Sequence, residues 1–308
     1  MDMIFIPLSL AAGSLLAVQA GANAQLAKAV GSPFAATTLQ LSVGAAVLAL
    51  VMLATGTAAA LAALPGAVWW HAAGGTASAF YVVSTILLFP RLGAVVSVGL
   101  FIAGQMLASL ALDTFGLVGV AASGLTTGAA AGTLSVLAGA ALIVFGQKGG
   151  TDALSPSKLG WIGLALVAGA VLPVQGAVNA LLRHDLGGAP FAAAAVSFVV
   201  ATLAMAAVLG VSLIRAAARR PQLDGVKAMP WWGWLGGLAG ATYVTTVFTA
   251  IPVIGTAAAV GFTVAGQQVA SVFVDRFGWF RLPERPVSPP RLAGVGLLLA
   301  GVVLIKAL

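Results

Sequence analysis

Amide side chains at equivalent places in the two halves of this sequence are the residues best suited to bind a solute. Gln19 and Asn23 stand four residues apart in an apolar segment, and Gln175 and Asn179 repeat the pair. This spacing puts both amides on one face of a helix. They could line a cavity, or they could only join neighbouring helices, which contributes about 0.6 kcal/mol on average in membranes. Pro173, just before the second pair, predicts a kink there.

A stripe of polar residues also occurs twice, at steps of four residues along a predicted helix. Its members are Gln105, Ser109 and Asp113 in the first half, and Gln267, Ser271 and Asp275 in the second. Each stripe lies on one helix face, so we expect both glutamines to face an interior cavity. The serines are better explained by bonds to their own helix. For the two aspartates, at predicted helix ends, a gating or coupling role competes with simple hydration.

Tyr81 and Tyr243 are the two tyrosines of the chain, and they fall at equivalent places about halfway along apolar segments. A phenol can stack on a solute and hydrogen-bond to it, which makes both residues candidates for the same cavity. The tryptophan pairs Trp69/Trp70 and Trp231/Trp232 stand at the start of their segments. There they are typical of the aromatic belt at a membrane surface.

The chain has few of the residues that catalysis or metal binding would require. It has no cysteine, two histidines and one glutamate, Glu284, so thiol chemistry is excluded and a metal cluster or hydrolytic dyad has little to use. No P-loop, GxSxG or HExxH pattern occurs. We therefore predict no enzyme activity, no catalytic residue, no metal and no cofactor. The formal charge of +7 belongs to short loops and indicates topology rather than binding of nucleic acid.

The elements that must position these residues are membrane helices. The chain is 61% hydrophobic and only 7% charged, which is not the composition of a soluble domain. Apolar stretches of about 20 residues span a bilayer as helices. The sequence predicts ten of them, at 4–24, 34–55, 69–89, 94–112, 130–146, 160–182, 190–214, 231–251, 256–274 and 291–306.

The two halves are copies of each other. Positions 69–116 and 231–278 share 20 identities in 48 ungapped positions, where about one in ten would match by chance. Each half carries five predicted spans, and because five is odd, the copies must have opposite orientations. We predict an all-α membrane protein of two inverted five-helix repeats, at residues 1–150 and 151–308. Such repeats build solute sites at their interface in secondary transporters.

Positive charge falls on one side of the predicted topology. Twelve of the 14 lysines and arginines collect on one side, and only Arg183 and Lys306 fall on the other. The positive-inside rule makes the first side cytoplasmic and puts both termini outside.

The fifth span of each half has two glycines seven residues apart and few polar residues. These pairs are Gly132/Gly139 and Gly294/Gly301. Small residues let membrane helices approach closely. The segments 130–146 and 291–306 therefore predict packing helices, with a homodimer contact as one possibility.

These motifs together resemble the drug/metabolite transporter (DMT) superfamily. The resemblance rests on VQAGANAQL and VQGAVNALL, on the repeated WW…GG…YV pattern and on the AGQxxASxxxD stripe. It is closest to the YdcZ-type branch in its fused ten-helix form. It implies a central cavity lined by the first four helices of each repeat, and export of small organic solutes. Small multidrug exporters of the superfamily use a glutamate in the first helix, and here Gln19 and Gln175 are the nearest polar residues.

The leading hypothesis is a secondary transporter of the bacterial inner membrane for a small neutral or zwitterionic solute. Its predicted site comprises Gln19, Asn23, Tyr81, Gln105, Gln175, Asn179, Tyr243 and Gln267. The alternative is a membrane scaffold whose polar residues only hold the helices together. Because the repeats are inverted, Asp113 and Asp275 should lie at opposite ends of the molecule. Arg276 adjoins Asp275, whereas Asp113 has no basic neighbour, so Asp113 is the better candidate for proton coupling.

Overall fold

The computed structural model describes residues 2–92, 94–145, 158–215, 220–222, 224–282, 284 and 288–307. Within these residues the chain is helical and contains no strand. The junction of the two predicted repeats, at residues 150 and 151, and Gly93 lie outside the described residues. Ten described helices exceed 16 residues, and we number them α1 (Phe5–Val30), α2 (Pro33–Ala54), α3 (Thr76–Leu92), α4 (Ala94–Phe115), α5 (Thr127–Phe145), α6 (Leu159–Asp185), α7 (Pro190–Ile214), α8 (Leu235–Ile254), α9 (Thr256–Phe277) and α10 (Pro289–Ala307).

Each of the ten predicted spans overlaps one of these helices. Eight described helices are long and apolar enough to cross a membrane by length and composition. The other two are α3, which has 17 residues, and α10. The multi-span helical architecture is therefore present, whereas the count of ten spans stays a prediction.

The predicted third span is interrupted near its start. A short helix at Trp69–Ala72 and a 3-10 turn at Ala73–Gly75 precede α3. A Cβ atom on Gly74 would press on the Asn179 side chain, and one on Gly75 would overlap the main chain of Ser197. The glycine pair thus lets this turn approach α6 and α7 closely, at the cost of helix continuity.

Glycines in α5 and α10 reveal how the two repeats are related. Gly132 packs on the main chain of Gly301, and Gly139 packs on that of Gly294. Equivalent helices therefore run antiparallel, which is the geometry of an inverted repeat. The glycine faces contact each other within one chain, and a homodimer through the remaining faces of these helices stays a prediction.

The repeats interlock instead of folding as separate bodies. The first helix of each repeat packs on the third and fourth helices of the other, so α1 contacts α8 and α9 while α6 contacts α3 and α4. Gly13 lies on the main chain of Thr263, and its counterpart Gly169 lies on that of Phe101. The largest hydrophobic core accordingly takes residues from both repeats. Any site in the middle of the bundle is shared between them.

The helices define two ends of the bundle, which we call the Asp113 end and the Asp275 end. Asp113 binds the first residues of α9, and Asp275 lies near the last ones. The α9 helix has 22 residues, about 33 Å at 1.5 Å per residue. The equivalent aspartates thus lie at opposite ends of the bundle, as the inversion predicts.

Described basic residues gather at the Asp275 end. There Gln25, near the end of α1, donates to the main-chain oxygen of Phe280, and the Arg91 guanidinium stacks over the Trp161 ring at 4.2 Å. Basic side chains at this end include those of Lys28, Arg91, Lys158, Arg215, Arg276, Arg281 and Arg291. The predicted charge asymmetry is therefore present, whereas which membrane face it meets stays a prediction.

Candidate solute-binding site

A cavity of about 270 Å³ lies beside the second half of α9, between α1, α4, α5 and α10. It runs from Gln267, the twelfth of the 22 residues of α9, to Asp275 near the helix end. Most of its lining is aliphatic. Five polar residues contribute the rest, namely Gln267, Gln268, Ser271, Asp275 and Arg291. A mostly apolar pocket with a few convergent polar groups is typical of a small-molecule site.

An ion pair closes one side of this cavity. The Nη1 atom of Arg291 lies 2.7 Å from Oδ2 of Asp275, and Nη2 donates to the Ser271 hydroxyl at 3.1 Å. That hydroxyl donates in turn to the main-chain oxygen of Gln268 at 2.8 Å. The Asp275 side chain is 25% exposed and the Arg291 side chain 9%. The pair ties α9 to α10 where the cavity meets the end of the bundle.

The first copy of the polar stripe, in α4, is buried between helices. Gln105, Ser109 and Asp113 are all buried, and Ser109 is 0% exposed. The Asp113 carboxylate accepts hydrogen bonds from the main-chain nitrogens of Thr256 at 2.8 Å and Ala257 at 2.6 Å. It thus caps the N-terminus of α9, where free N–H groups and the helix dipole favour a negative charge. The sequence placed no partner beside Asp113, and the fold supplies these two amides from the other repeat.

The two repeated glutamines in α1 and α6 have different partners. In α6, the Nε2 atom of Gln175 lies 2.8 Å from the Ser78 hydroxyl of α3 and donates to it. The Oε1 atom of Gln175 lies 3.1 Å from the same hydroxyl and can accept from it. In α1, Gln19 packs against Gly240 of α8, the counterpart of Ser78, and has no hydrogen bond with the described residues. One serine-to-glycine difference between the repeats therefore leaves one of the two amides unpaired.

The repeated asparagines lie at the same inter-repeat contacts. Asn179 is fully buried against Gly74, and neither of its amide atoms has a hydrogen-bond partner among the described residues. Asn23 packs against Gly236, and its Oδ1 is likewise buried and unpartnered. A buried, unpaired amide is costly. These groups are therefore candidates for contacts that another conformation, a water or a solute would supply.

Each tyrosine packs in a hydrophobic cluster that takes residues from both repeats. The Tyr81 ring packs at 5.0 Å on the ring of Phe101 in α4, and Tyr243 is buried in the largest hydrophobic core. Both tyrosines lie in the interior between the repeats, as their mid-span positions predict, but neither lines the cavity.

Two of the ten predicted site residues, Gln267 and Asp275, line the cavity. The other eight do not line it. Asp113 caps α9, four amides lie at contacts between the repeats, and the remaining three residues lie within the bundle: Gln19, Asn23, Gln175 and Asn179 are the amides, and Tyr81, Gln105 and Tyr243 are the rest. Sequence reasoning missed Gln268, Ser78 and Arg291. Gln268 adjoins a predicted residue. In the sequence, Arg291 resembles many other loop charges, and only the packing of α10 on α9 brings it into contact with Asp275.

A hydrogen-bonded histidine–aspartate pair, which sequence reasoning also missed, lies at the Asp113 end. The Nδ1 atom of His71 and Oδ2 of Asp185 are 2.5 Å apart, and Asp185 also accepts from the main-chain nitrogen of Val68 at 3.4 Å. The pair joins the short helix before α3 to the end of α6. The residues equivalent to His71 and Asp185 in the other repeat are Gly233 and Ala29, so no equivalent pair forms there.

Comparison with known proteins assigns the family. Residues 4–142 and 160–304 match the family model described as "Putative inner membrane exporter, YdcZ". A solved structure described as "Crystal structure of protein" is similar in fold, with a TM-score of 0.66 over 99% of this chain and 96% of its own. At 19% identity it supports the fold alone. No curated protein matches the chain in sequence.

The match to the family model comes in two stretches, one in each repeat, and together they cover most of the chain. Inner-membrane location, several membrane-spanning helices and a general role in membrane transport follow from it. The chain belongs to the YdcZ-type family of inner membrane exporters, within the drug/metabolite transporter superfamily.

Proposed function

We propose that this protein is a secondary transporter that exports a small organic solute by alternating access. Its ten long helices would all cross the membrane, with the Asp275 end in the cytoplasm and both termini outside. The arginine-rich and lysine-rich loops support this orientation. The structure would then represent a state whose cavity faces the cytoplasm.

One observation carries this proposal: the two copies of the polar stripe differ in burial. Ser271 lines a cavity and its counterpart Ser109 is fully buried. In inverted-repeat transporters, each repeat can adopt the conformation of the other, which closes one end and opens the opposite end. Exchange of the two conformations here would fill the cavity at Asp275 and open an equivalent one at Asp113.

The predicted site residues acquire roles in that exchange. Opening at the Asp113 end requires the Asp113 carboxylate to leave the two α9 amides, so it would act as a gate. The buried amides of Gln105 and Asn179 would then become accessible to solute, while Gln19, Asn23, Tyr81, Gln175, Tyr243 and Gln267 would border the path at the repeat interface. The unpartnered Asn179 amide supports such a second set of contacts.

Accessibility of matched cysteines tests the alternating cavity. The chain has no cysteine, so Ser271→Cys and Ser109→Cys each introduce one thiol at equivalent positions. We expect a small water-soluble maleimide to label position 271 at least about tenfold faster than position 109, because Ser271 lines a cavity whereas Ser109 is fully buried, and buried thiols react slowly. A transported solute should slow labelling at 271 and speed it at 109.

Equal labelling of both positions, unchanged by any solute that the protein transports, would remove the alternating-access proposal. Flux of a metabolite panel in proteoliposomes separates the transporter from the scaffold alternative. A scaffold shows no flux above that of empty liposomes. For orientation, Arg220→Cys should resist an impermeant thiol reagent in intact cells, and labelling from outside would reverse the assignment.

A further inference from the structure

The cavity contains a charge that the repeat symmetry does not explain. Most positions that line it have a chemically similar counterpart in the other repeat, as Asp275 has Asp113 and Ser271 has Ser109. The counterpart of Arg291 is Ala129. A guanidinium therefore borders the cavity at the Asp275 end, and an equivalent cavity at the Asp113 end would have a methyl group in that place.

The Arg291 guanidinium has donors to spare. Guanidinium carries five N–H donors, and two of its nitrogens are engaged, one by Asp275 and one by the Ser271 hydroxyl. Its Nε is buried and has no hydrogen-bond partner among the described residues. Arg291 is also the third residue of α10, so the positive end of that helix dipole adds to its charge. The local chemistry thus offers more donors than acceptors.

The rest of the cavity favours an apolar body. Leu16, Ile102, Ile143, Val274 and Leu282 contribute much of its lining, and among the lining residues Asp275 is the one acid. Because the Asp275 side chain is 25% exposed, its carboxylate can turn toward water at the cavity mouth when another anion takes its place. A bidentate carboxylate on guanidinium is among the strongest hydrogen-bonded pairs.

On these observations we propose that Arg291 binds the carboxylate of a small, mostly apolar solute, and that the Asp275–Arg291 pair is the resting contact that this solute opens. The proposal rests on the transport function and assigns it a substrate class. It also predicts that the carboxylate site exists at the Asp275 end and has no equivalent at the Asp113 end. The carboxylate is held while the cavity opens at the Asp275 end, and it loses the guanidinium when the cavity opens at the Asp113 end.

Equilibrium binding to purified protein in nanodiscs tests the substrate class without requiring flux. The probes are 3-phenylpropionate, its neutral amide, 3-phenylpropylamine and phenylalanine, which share one apolar body. We expect the two carboxylates to bind at millimolar concentration, and the amide and amine to bind at least about tenfold more weakly. Phenylalanine against 3-phenylpropionate shows whether an ammonium group beside the carboxylate is accepted as well.

Substitutions separate Arg291 from the general positive charge of this end. Arg291→Gln should weaken carboxylate binding by about 10- to 100-fold, the effect of a hydrogen-bonded charge. Arg276→Gln, which removes an exposed arginine outside the cavity, should leave binding unchanged. The variant Asp275→Asn/Arg291→Gln leaves no unpaired charge, so it retains the fold if Arg291→Gln alone does not, and it should show the same loss.

Several outcomes would overturn the proposal. They are failure of every carboxylate to bind at millimolar concentration, equal binding of acid and amide, preference for the amine, or full binding by the neutral double variant. A protein that binds carboxylates but shows no flux with any solute would contradict the transport function and leave this inference standing. Flux of solutes without preference for a carboxylate would support the transport function and contradict this inference.

Discussion

The two repeats carry the same polar stripe, yet its two copies end in different contacts. In the first repeat, Asp113 accepts from two main-chain amides and ties α4 to the start of α9. In the second, Asp275 pairs with Arg291 beside a cavity. The side chains are identical, so the difference comes from what the opposite repeat presents to each. Equal sequence on inverted repeats therefore does not imply equal structure at the two ends.

The glutamines of α1 and α6 also occupy equivalent positions but have different partners. Gln175 is satisfied by Ser78, and Gln19 faces Gly240. A single hydroxyl decides whether the amide is part of the helix packing or is available to another molecule. Three sets of substitutions can break or sharpen this comparison between the repeats.

The largest effect on stability should come from Asp113→Ala. It leaves the main-chain nitrogens of Thr256 and Ala257 buried without an acceptor, which should lower the free energy of unfolding by about 3 kcal/mol. Asp113→Asn keeps one acceptor oxygen and should lose about half as much. Thermal unfolding in detergent measures both, with Asp224→Ala at an exposed site as the control. Unfolding of Asp113→Ala at the wild-type temperature would show that the cap contributes nothing.

Replacing each glutamine by leucine should separate the two amides in function. Gln19→Leu removes an amide that has no partner among the described residues, so the protein should remain as stable as the wild type. If both amides border the solute path, each substitution should lower flux by about tenfold or more in proteoliposomes. Gln175→Leu should also lower stability, because the Ser78 hydroxyl loses its partner.

The control for that pair is Gln222→Leu, in an exposed loop. Wild-type flux in both Gln19→Leu and Gln175→Leu would return these residues to a purely structural role. Loss of flux in Gln175→Leu alone would mean that the unpaired amide is not the one that the solute uses.

The smallest effect should come from exchanging the partners. Ser78→Ala removes the hydroxyl from Gln175 without placing a glycine inside α3, and should cost about 0.6 kcal/mol, the average for such bonds in membranes. Gly240→Ser should give Gln19 the same kind of partner. A Cβ there would lie 2.7 Å from the Gln19 Nε2, and that flexible amide can shift to accept it. Stabilisation by Gly240→Ser together with reduced flux would indicate that an unpaired Gln19 serves transport. Equal unfolding temperatures for both variants and the wild type would make the hydroxyl irrelevant.

Much of the fold could be read from the chain because its signals are local. The apolar segments, the 162-residue repeat and the charges at their ends do not depend on distant contacts. The break at Gly74–Gly75 was not predicted, because it arises from the close approach of Asn179 and Ser197, which come from other helices. Bounds also shifted: α6 continues to Asp185, three residues beyond its predicted end at 182.

The sequence by itself determined that this protein is a helical membrane protein of two inverted repeats, and it determined which polar residues occur twice. Hydropathy and periodicity suffice for that, since a bilayer requires each span to satisfy its own backbone. Only the tertiary structure decided which copies are packed and which border the cavity. Helix packing brings Arg291 to Asp275, which is 16 residues away in the sequence, and brings Asp113 to the start of α9, which is 143 residues away. Local sequence patterns do not encode contacts over such separations.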